Sequence, residues 1–228
     1  MSLQDLFTSR FEDYDEDKIV YDQTPIRLFK SDFLEWFTHV TPVTVVVLFL
    51  PIVLGALIVG VLGWPAGPTA LLIPLMFVAG LVMWTFTEYM VHRFIFHLEA
   101  VSVWAKRLIF LFHGIHHVQP HIKTRLVMPP VISVPGALVF FLLFSGLFSV
   151  LGASHLMLPT FAGFTMGYIA YDLLHYAEHH WPMKGPVLKF LRRHHMEHHY
   201  KTPKARFGVS TSVWDEVFQT EPHIEAAQ

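Results

Sequence analysis

Four long uncharged stretches are the feature that most limits how this chain can fold. They cover residues 43–62, 68–87, 131–151 and 153–171. A helix needs roughly 20 apolar residues to cross the hydrocarbon core of a bilayer, and each stretch has about that length. One such run could be a buried helix of a soluble protein, but four in one short chain favour an integral membrane protein. We therefore predict an all-α fold with four transmembrane helices.

The composition excludes several other kinds of protein and site. Of the 228 residues, 53% are hydrophobic and 15% are charged, and the formal net charge of −2 gives no indication of nucleic-acid binding. The chain has no cysteine, which excludes disulfides, thiolate metal sites and cysteine nucleophiles. Any metal must therefore be held by nitrogen and oxygen. The acidic N-terminus has no apolar run and does not have the pattern of a signal peptide.

The basic residues predict the orientation in the membrane. All 16 lysines and arginines lie in three segments, at 1–42, 88–130 and 172–228. The positive-inside rule places these segments in the cytoplasm, so the four runs form two helical hairpins that enter the bilayer from that side. We accordingly divide the chain into a cytoplasmic N-terminal segment, 1–42, and a four-span domain, 43–228.

The residues just before the first span predict a short helix. Ser31 is the expected N-cap, with Asp32 and Glu35 in the first turn, where acidic residues favour a helix start. Phe33 and Trp36 follow helical spacing. This pattern predicts a helix lying in the membrane interface, and an ordinary amphipathic packing helix is an equal alternative.

Two histidine triplets have a spacing that suits metal binding. His113, His116 and His117 stand at positions i, i+3 and i+4, and the same spacing recurs at 195, 198 and 199. Such positions are neighbours on a helix surface. Positions i+3 and i+4 differ by roughly 100° in direction, so one triplet can send ligands to two adjacent metals.

Two histidine pairs add to these triplets. His175 and His179 are an i, i+4 pair that continues the fourth run beyond the membrane. His92 and His97 are five positions apart, which is roughly 140° on a straight helix and unsuited to one shared metal. Two alternatives follow for the second pair. Either the helix bends there, or each histidine serves a different ion.

Together these groups provide ten candidate metal ligands. They are His92, His97, His113, His116, His117, His175, His179, His195, His198 and His199. One tetrahedral zinc needs about four ligands, so this number indicates two metals of higher coordination. Imidazole suits iron, zinc and copper alike, and the spacing does not decide among them. A solvated basic surface or a pH sensor would not need repeated triplets.

Four acidic residues lie among these histidines. They are Glu88, Asp172, Glu178 and Glu197. Metal-bound histidines usually donate their second ring nitrogen to a carboxylate or a carbonyl. We therefore interpret the acids as partners of the ligands rather than as ligands. For Glu197, a helix-surface charge is a nearly equal alternative.

The motifs around the histidines resemble those of a known family. "EYMVHRFIFH", "HGIHHVQPHIKTRLVMPP", "GYIAYDLLHY" and "HHMEHHYKTPKARFGVSTSVWDEVF" resemble the fatty acid hydroxylase and sterol desaturase superfamily, and within it the fatty acid 2-hydroxylases, over about residues 20–219. The resemblance implies two metal ions, expected to be iron, with zinc as the alternative in an isolated protein. It also implies a dioxygen-dependent monooxygenase that hydroxylates carbon 2 of fatty acyl chains, in sphingolipids or as free acids.

The resemblance also implies partners and further residues. It carries over the ten histidines one by one, although His194 and His195 are adjacent and remain alternatives for one ligand. By their position, Arg125, Tyr168 and Tyr171 are candidates for substrate binding, and an interfacial anchor at the level of the lipid phosphates is an equal alternative for Arg125. A separate electron-donor protein is expected, because residues 1–42 are too few for the haem-binding domain found in many eukaryotic members. The compact form favours a bacterial inner membrane, or the endoplasmic reticulum if the chain is eukaryotic.

Two rival functions remain at this point. The first is a sterol or carotenoid hydroxylase or desaturase of the same superfamily. The second is a metal transporter, which is less favoured because transporters place polar ligands near the middle of the bilayer, whereas these histidines lie beyond the ends of the runs.

Overall fold

The computed structural model describes residues 6–8, 18–65 and 71–222. The regular secondary structure of this part of the chain is helical, apart from one isolated bridge that pairs Phe7 with Phe29. The longer helices are α2 (Pro42–Leu62), α3 (Leu72–Val91), α6 (Pro130–Val150), α7 (Met157–His180) and α8 (Pro186–Tyr200). The shorter ones are α1 (Asp32–Trp36), α4 (Val103–Ile109), α5 (Ile115–Val118) and α9 (Val213–Val217). The predicted all-α fold is confirmed for the described residues.

Three helices have the length and apolar composition of membrane spans. They are Pro42–Leu62, Leu72–Phe96 and Pro130–Val150, so the chain is a multi-pass membrane protein. They coincide with three of the four predicted runs, although residues 68–70 of the second run lie outside the described part. The fourth run, 153–171, lies mainly in α7, which is not apolar enough to meet the same criterion within the described residues. Most of α7 is buried against other helices, so it needs less lipophilic surface.

Proline and glycine explain where helices begin and how closely they pack. Pro42 and Pro130 are the first residues of α2 and α6, a position where the missing N–H of proline is harmless. Close packing of α3 against α7 depends on glycine. A side chain at Gly163 in α7 would overlap the main-chain carbonyl of Phe77 in α3. Small residues allow two helix backbones to approach in this way.

This close approach positions the polar end of the molecule. Helix α3 continues without interruption into a π-helical turn, His92–Phe96, and α7 itself carries His175 and His179. The spacing between α3 and α7 at this contact therefore sets the spacing between the histidines at their ends. A second π-helical turn, Phe110–Gly114, joins α4 to α5.

Substituting Gly163 by alanine tests whether this packing supports the fold. We expect Gly163→Ala to lower the midpoint of thermal unfolding in detergent, because overpacking a close contact costs about 1–3 kcal/mol. Gly146→Ala in α6 is the matched control, since a Cβ there meets no atom within 4 Å. It should have no effect or a stabilising one, because alanine favours a helix by about 1 kcal/mol over glycine. Equal losses in the two variants would contradict this account.

Candidate metal centre

The ten candidate histidines lie in two groups of five. The first group contains His92, His97, His113, His117 and His198. The second group contains His116, His175, His179, His195 and His199. In each group, one ring nitrogen of every member lies within 4.8 Å of the others, and four of the five side chains are buried. The two groups adjoin, since the rings of His117 and His199 stack with centroids 4.1 Å apart.

The spacing of the facing nitrogens fits metal ligands. In the first group, Nε2 of His113 is 3.0 Å from Nε2 of His92 and 2.9 Å from that of His117. In the second group, Nε2 of His116 and His175 are 2.9 Å apart. Two nitrogens bound at right angles to one ion, each at about 2.1 Å, would lie about 3.0 Å apart. The arrangement and the all-nitrogen donor set therefore fit two first-row metal ions.

Burial keeps these imidazoles in the form that binds metals. Loss of contact with water holds the pKa values of His116, His117, His198 and His199 well below the ordinary value of 6.5, and the neighbouring histidines lower them further. A neutral imidazole has a free lone pair on one ring nitrogen, which is what a metal ligand requires.

Each histidine triplet contributes to both groups. His113 and His117 belong to the first group and His116 to the second, while His198 belongs to the first and its partners at 195 and 199 to the second. This division follows the difference in direction between positions i+3 and i+4 on a helix. Each triplet therefore connects the first group to the second.

The π-helical turn decides between the two alternatives for His92 and His97. Both lie in the first group, with their Nε2 atoms 3.2 Å apart. The main-chain N–H of His97 donates to the carbonyl of His92, 3.1 Å away, in the wide turn of a π-helix. This extra residue per turn brings positions five apart onto one face of the helix.

Main-chain carbonyls orient two histidines of the first group. The Nδ1–H of His92 donates to the carbonyl of Phe207 at 2.5 Å, and that of His198 donates to the carbonyl of Ala205 at 2.7 Å. These bonds leave Nε2 of each ring facing the group. Sequence reasoning missed these partners, because a main-chain carbonyl has no signature in the sequence.

Three of the four predicted acidic partners are buried near the groups. Within the described residues, none of these three side chains forms a hydrogen bond with a histidine. Glu88 accepts from the main-chain N–H groups of Val209 and Ser210, at 2.8 and 2.7 Å. Asp172 accepts from the main-chain N–H of Met128 at 3.4 Å. Glu178 is fully buried, and neither of its carboxylate oxygens has a hydrogen-bond partner in this part of the chain. Glu88 and Asp172 therefore hold the main chain around the site.

The fourth acidic residue, Glu197, pairs with two cations. Its carboxylate lies 3.2 Å from the amine of Lys201 and 3.3 Å from the guanidinium of Arg206. Glu197 lies in sequence between His195 and His198, and its side chain is partly exposed. These ion pairs favour the alternative of a helix-surface charge, and a role of Glu197 as a partner of the ligands stays a prediction.

The remaining described histidines lie outside both groups. His194 has Nε2 3.2 Å from Asp215 and Nδ1 3.2 Å from Glu221, so of the two adjacent alternatives the structure places His195 in a group. His155 lies near the turn between α6 and α7, against the ring of Trp64. His223 lies outside the described residues.

Comparison with known proteins identifies the family. A family model described as fatty acid hydroxylase matches residues 77–220, a region that contains all ten histidines. The chain belongs to the fatty acid hydroxylase family. It is 35% identical to the dihydroceramide fatty acyl 2-hydroxylase FAH2 of Arabidopsis thaliana, over 88% of this chain and 82% of the relative. It is 34% identical to the fatty acid 2-hydroxylase of Homo sapiens, over 88% of this chain and 59% of that one.

A solved structure has the same fold as this fatty acid hydroxylase. The structure described as full length scs7p, with only the hydroxylase domain visible, superposes with a TM-score of 0.77 at 35% identity. The match covers 85% of this chain and 71% of that one. The family relationship and the shared fold together support an enzyme of the hydroxylase class.

The three candidate substrate-binding residues of the hydroxylase have different surroundings. Tyr168 lines a cavity between α3, α6 and α7, and Tyr171 stacks on the ring of His175 with centroids 5.6 Å apart. Arg125 is buried and donates to the side chains of Glu35 and Thr38, so most of its guanidinium is used inside the protein. A contact between Arg125 and a lipid head group stays a prediction.

Adjacent histidines at the end of α7 provide a matched test of the ligand set. His179 lies in the second group, whereas His180 lies in neither. We expect His179→Ala to lower the metal content of the purified protein, measured by elemental analysis, and to abolish hydroxylation. His180→Ala should retain its metal. Full metal content in His179→Ala would contradict the assignment of the second group.

Proposed function

We propose that this chain is a membrane-bound, dioxygen-dependent hydroxylase that inserts a hydroxyl at carbon 2 of fatty acyl chains. Its substrates would be sphingolipid or ceramide-type lipids or the free acids. The observation that carries the proposal is the pair of five-histidine groups, found in a chain similar over most of its length to fatty acyl 2-hydroxylases. A separate electron-donor protein would supply the reducing equivalents.

The ten histidines would hold two metal ions, with iron the expected metal in the cell and zinc the alternative in the isolated protein. When bound, the ions supply the redox chemistry that activates dioxygen, and the protein supplies orientation and exclusion of water. The buried side chains and the two carbonyl-anchored rings would hold the nitrogen donors in place before a metal binds. Buried Asp172 would act by holding the loop at Met128 beside the site.

An apolar cavity would hold the acyl chain. It has a volume of about 260 Å³ and lies between α3, α6 and α7, with Trp84, Ile132 and Tyr168 in its wall. Phe96 also lines it, and its ring stacks on the ring of His113 with centroids 4.9 Å apart. A chain in this cavity would therefore have one end beside the first histidine group. The apolar walls would keep water from the reacting carbon.

A groove on the membrane face would give lipids access to this cavity. It has a volume of about 470 Å³, lies between α2 and α6, and includes Ile52, Val134 and Leu138. Phe49 and Ala137 line both the groove and the cavity, so the two spaces adjoin. A substrate could pass between the hairpins from the bilayer without crossing water.

We further propose the orientation predicted from the basic residues. Helix α7 would be the fourth span, residues 43–228 would form the four-span domain, and the histidine groups would lie in a cytoplasmic cap. Helix α1 would lie in the interface, since Phe33 and Trp36 are each 70% exposed on it. The bacterial inner membrane is the favoured location, or the endoplasmic reticulum if the chain is eukaryotic.

Labelled dioxygen tests the reaction. Cells that lack 2-hydroxy lipids, expressing this chain with a reducing partner, should accumulate acyl chains hydroxylated at carbon 2 that carry the label, because an oxygenase takes its oxygen from dioxygen. Mass spectrometry of the extracted lipids measures both the position and the label. Unlabelled 2-hydroxy product would contradict the oxygenase mechanism. Label on a sterol or carotenoid instead would move the substrate to another branch of the superfamily.

Single cysteines test the orientation, and the cysteine-free chain makes each one the sole thiol. Ser154 is exposed between α6 and α7, and Lys189 is exposed on α8. The two test variants are Ser154→Cys and Lys189→Cys. In intact cells a membrane-impermeant thiol reagent should label the first and not the second, because only the first faces outward in the proposed orientation. Both should react after the cells are lysed. The opposite pattern in intact cells would place the histidine groups outside.

A further inference from the structure

The segment of residues 205–210, here called the strap, passes beside the first histidine group after α8. Its carbonyls at Ala205 and Phe207 accept the Nδ1–H groups of His198 and His92. The second group differs. Within the described residues, Nδ1 of three of its members is buried and has no hydrogen-bond partner; these are His175, His195 and His199. Among the described residues, the strap therefore orients histidine rings of the first group and none of the second.

Asp215 in α9 holds the strap in place. Its side chain is fully buried. One carboxylate oxygen accepts from the main-chain N–H of Phe207 at 2.8 Å, and the other accepts from that of Gly208 at 2.7 Å. Phe207 thus receives Asp215 on its N–H side and His92 on its carbonyl side. A shift of the strap at Asp215 would move that carbonyl directly.

Hydrogen bonds also hold the other end of the strap, and its middle has no room for a side chain at Gly208. Glu88 accepts from the N–H groups of Val209 and Ser210, and Glu88 lies one helical turn before His92 in α3. A Cβ at Gly208 would lie 2.8 Å from the Asp215 carboxylate and would overlap the carbonyl of Thr211. The strap therefore fits its carboxylate partners only with glycine at this position.

We propose that Asp215 is a positioning residue for the metal of the first histidine group and that it acts through the strap. The inference rests on the proposed metal-binding function of the histidines. Loss of the Asp215 hydrogen bonds would release the strap, and the rings of His92 and His198 would lose their fixed orientation. Removing such partners of metal ligands typically lowers metal affinity 10–100-fold. The second group should be unaffected.

Zinc titration of the chelator-stripped, full-length protein in detergent tests the proposal. The unaltered protein should bind two zinc ions per chain in equilibrium dialysis. Asp215→Asn should keep one site at its original affinity and weaken the other 10–100-fold. Glu216→Gln is the matched control, because it removes one exposed carboxylate from the same helix. It should bind both ions as the unaltered protein does.

Double variants identify which site is affected. His92→Ala weakens the first site and removes the ring that Phe207 orients, so adding Asp215→Asn should cause little further loss. His179→Ala weakens the second site, so adding Asp215→Asn should weaken the one that remains. Changes that act on one site are non-additive, whereas changes at independent sites add. A purely structural role of Asp215 would weaken both sites together.

Each outcome supports or overturns the proposal. Unchanged affinities in Asp215→Asn, or equal weakening of both sites, would overturn it. If Asp215→Asn does not fold, Gly208→Ala takes its place, since it disturbs the strap and leaves every charge intact. That variant should show the same loss at one site, and two unchanged sites would overturn the proposal. If the unaltered protein binds no zinc or iron, the proposed metal centre itself fails.

Discussion

Ten imidazoles that face one another, eight of them buried, are the constraint on which the rest of this structure depends. A buried polar group left without a partner costs about 1–3 kcal/mol, and each of these rings turns a nitrogen toward four others of its kind. A metal ion is the partner that satisfies five lone pairs at once. Because an ion accepts its ligands only within narrow limits of distance and direction, the surrounding helices must hold the rings accurately.

The structure meets this demand with rigid elements. Helices α3 and α7 pack backbone to backbone at Gly163, and both run from the apolar part of the molecule to the histidines without a break. The π-helical turn at His92–Phe96 then brings two ligands of α3 onto one face. Sites built on helices in this way hold their geometry better than sites built on loops. The same helices line the apolar cavity, so the cavity and the histidine groups are held by one framework.

The two histidine groups have similar contents but different supports. In the first, Phe207 and Ala205 anchor two rings by hydrogen bonds. In the second, Glu178 and three ring nitrogens are buried without partners in the described chain. A ring nitrogen that is already oriented loses less conformational freedom when it binds a metal ion. The first group is therefore better preorganised for metal binding than the second. Two ions held in this way would not be chemically equivalent.

The sequence by itself determined the apolar runs, the identity of the ten histidines and the family, because hydropathy and i, i+3, i+4 spacing are local properties of a helix. Only the tertiary structure decided how the ten divide into two groups, that His92 and His97 share one, and that Glu197 pairs with Lys201 and Arg206. It also decided that His195 rather than His194 joins a group, and that carbonyls of the strap orient His92 and His198. These outcomes depend on a local change from α- to π-helix and on contacts between residues up to 122 positions apart, such as that of Glu88 with Ser210, which no local pattern encodes.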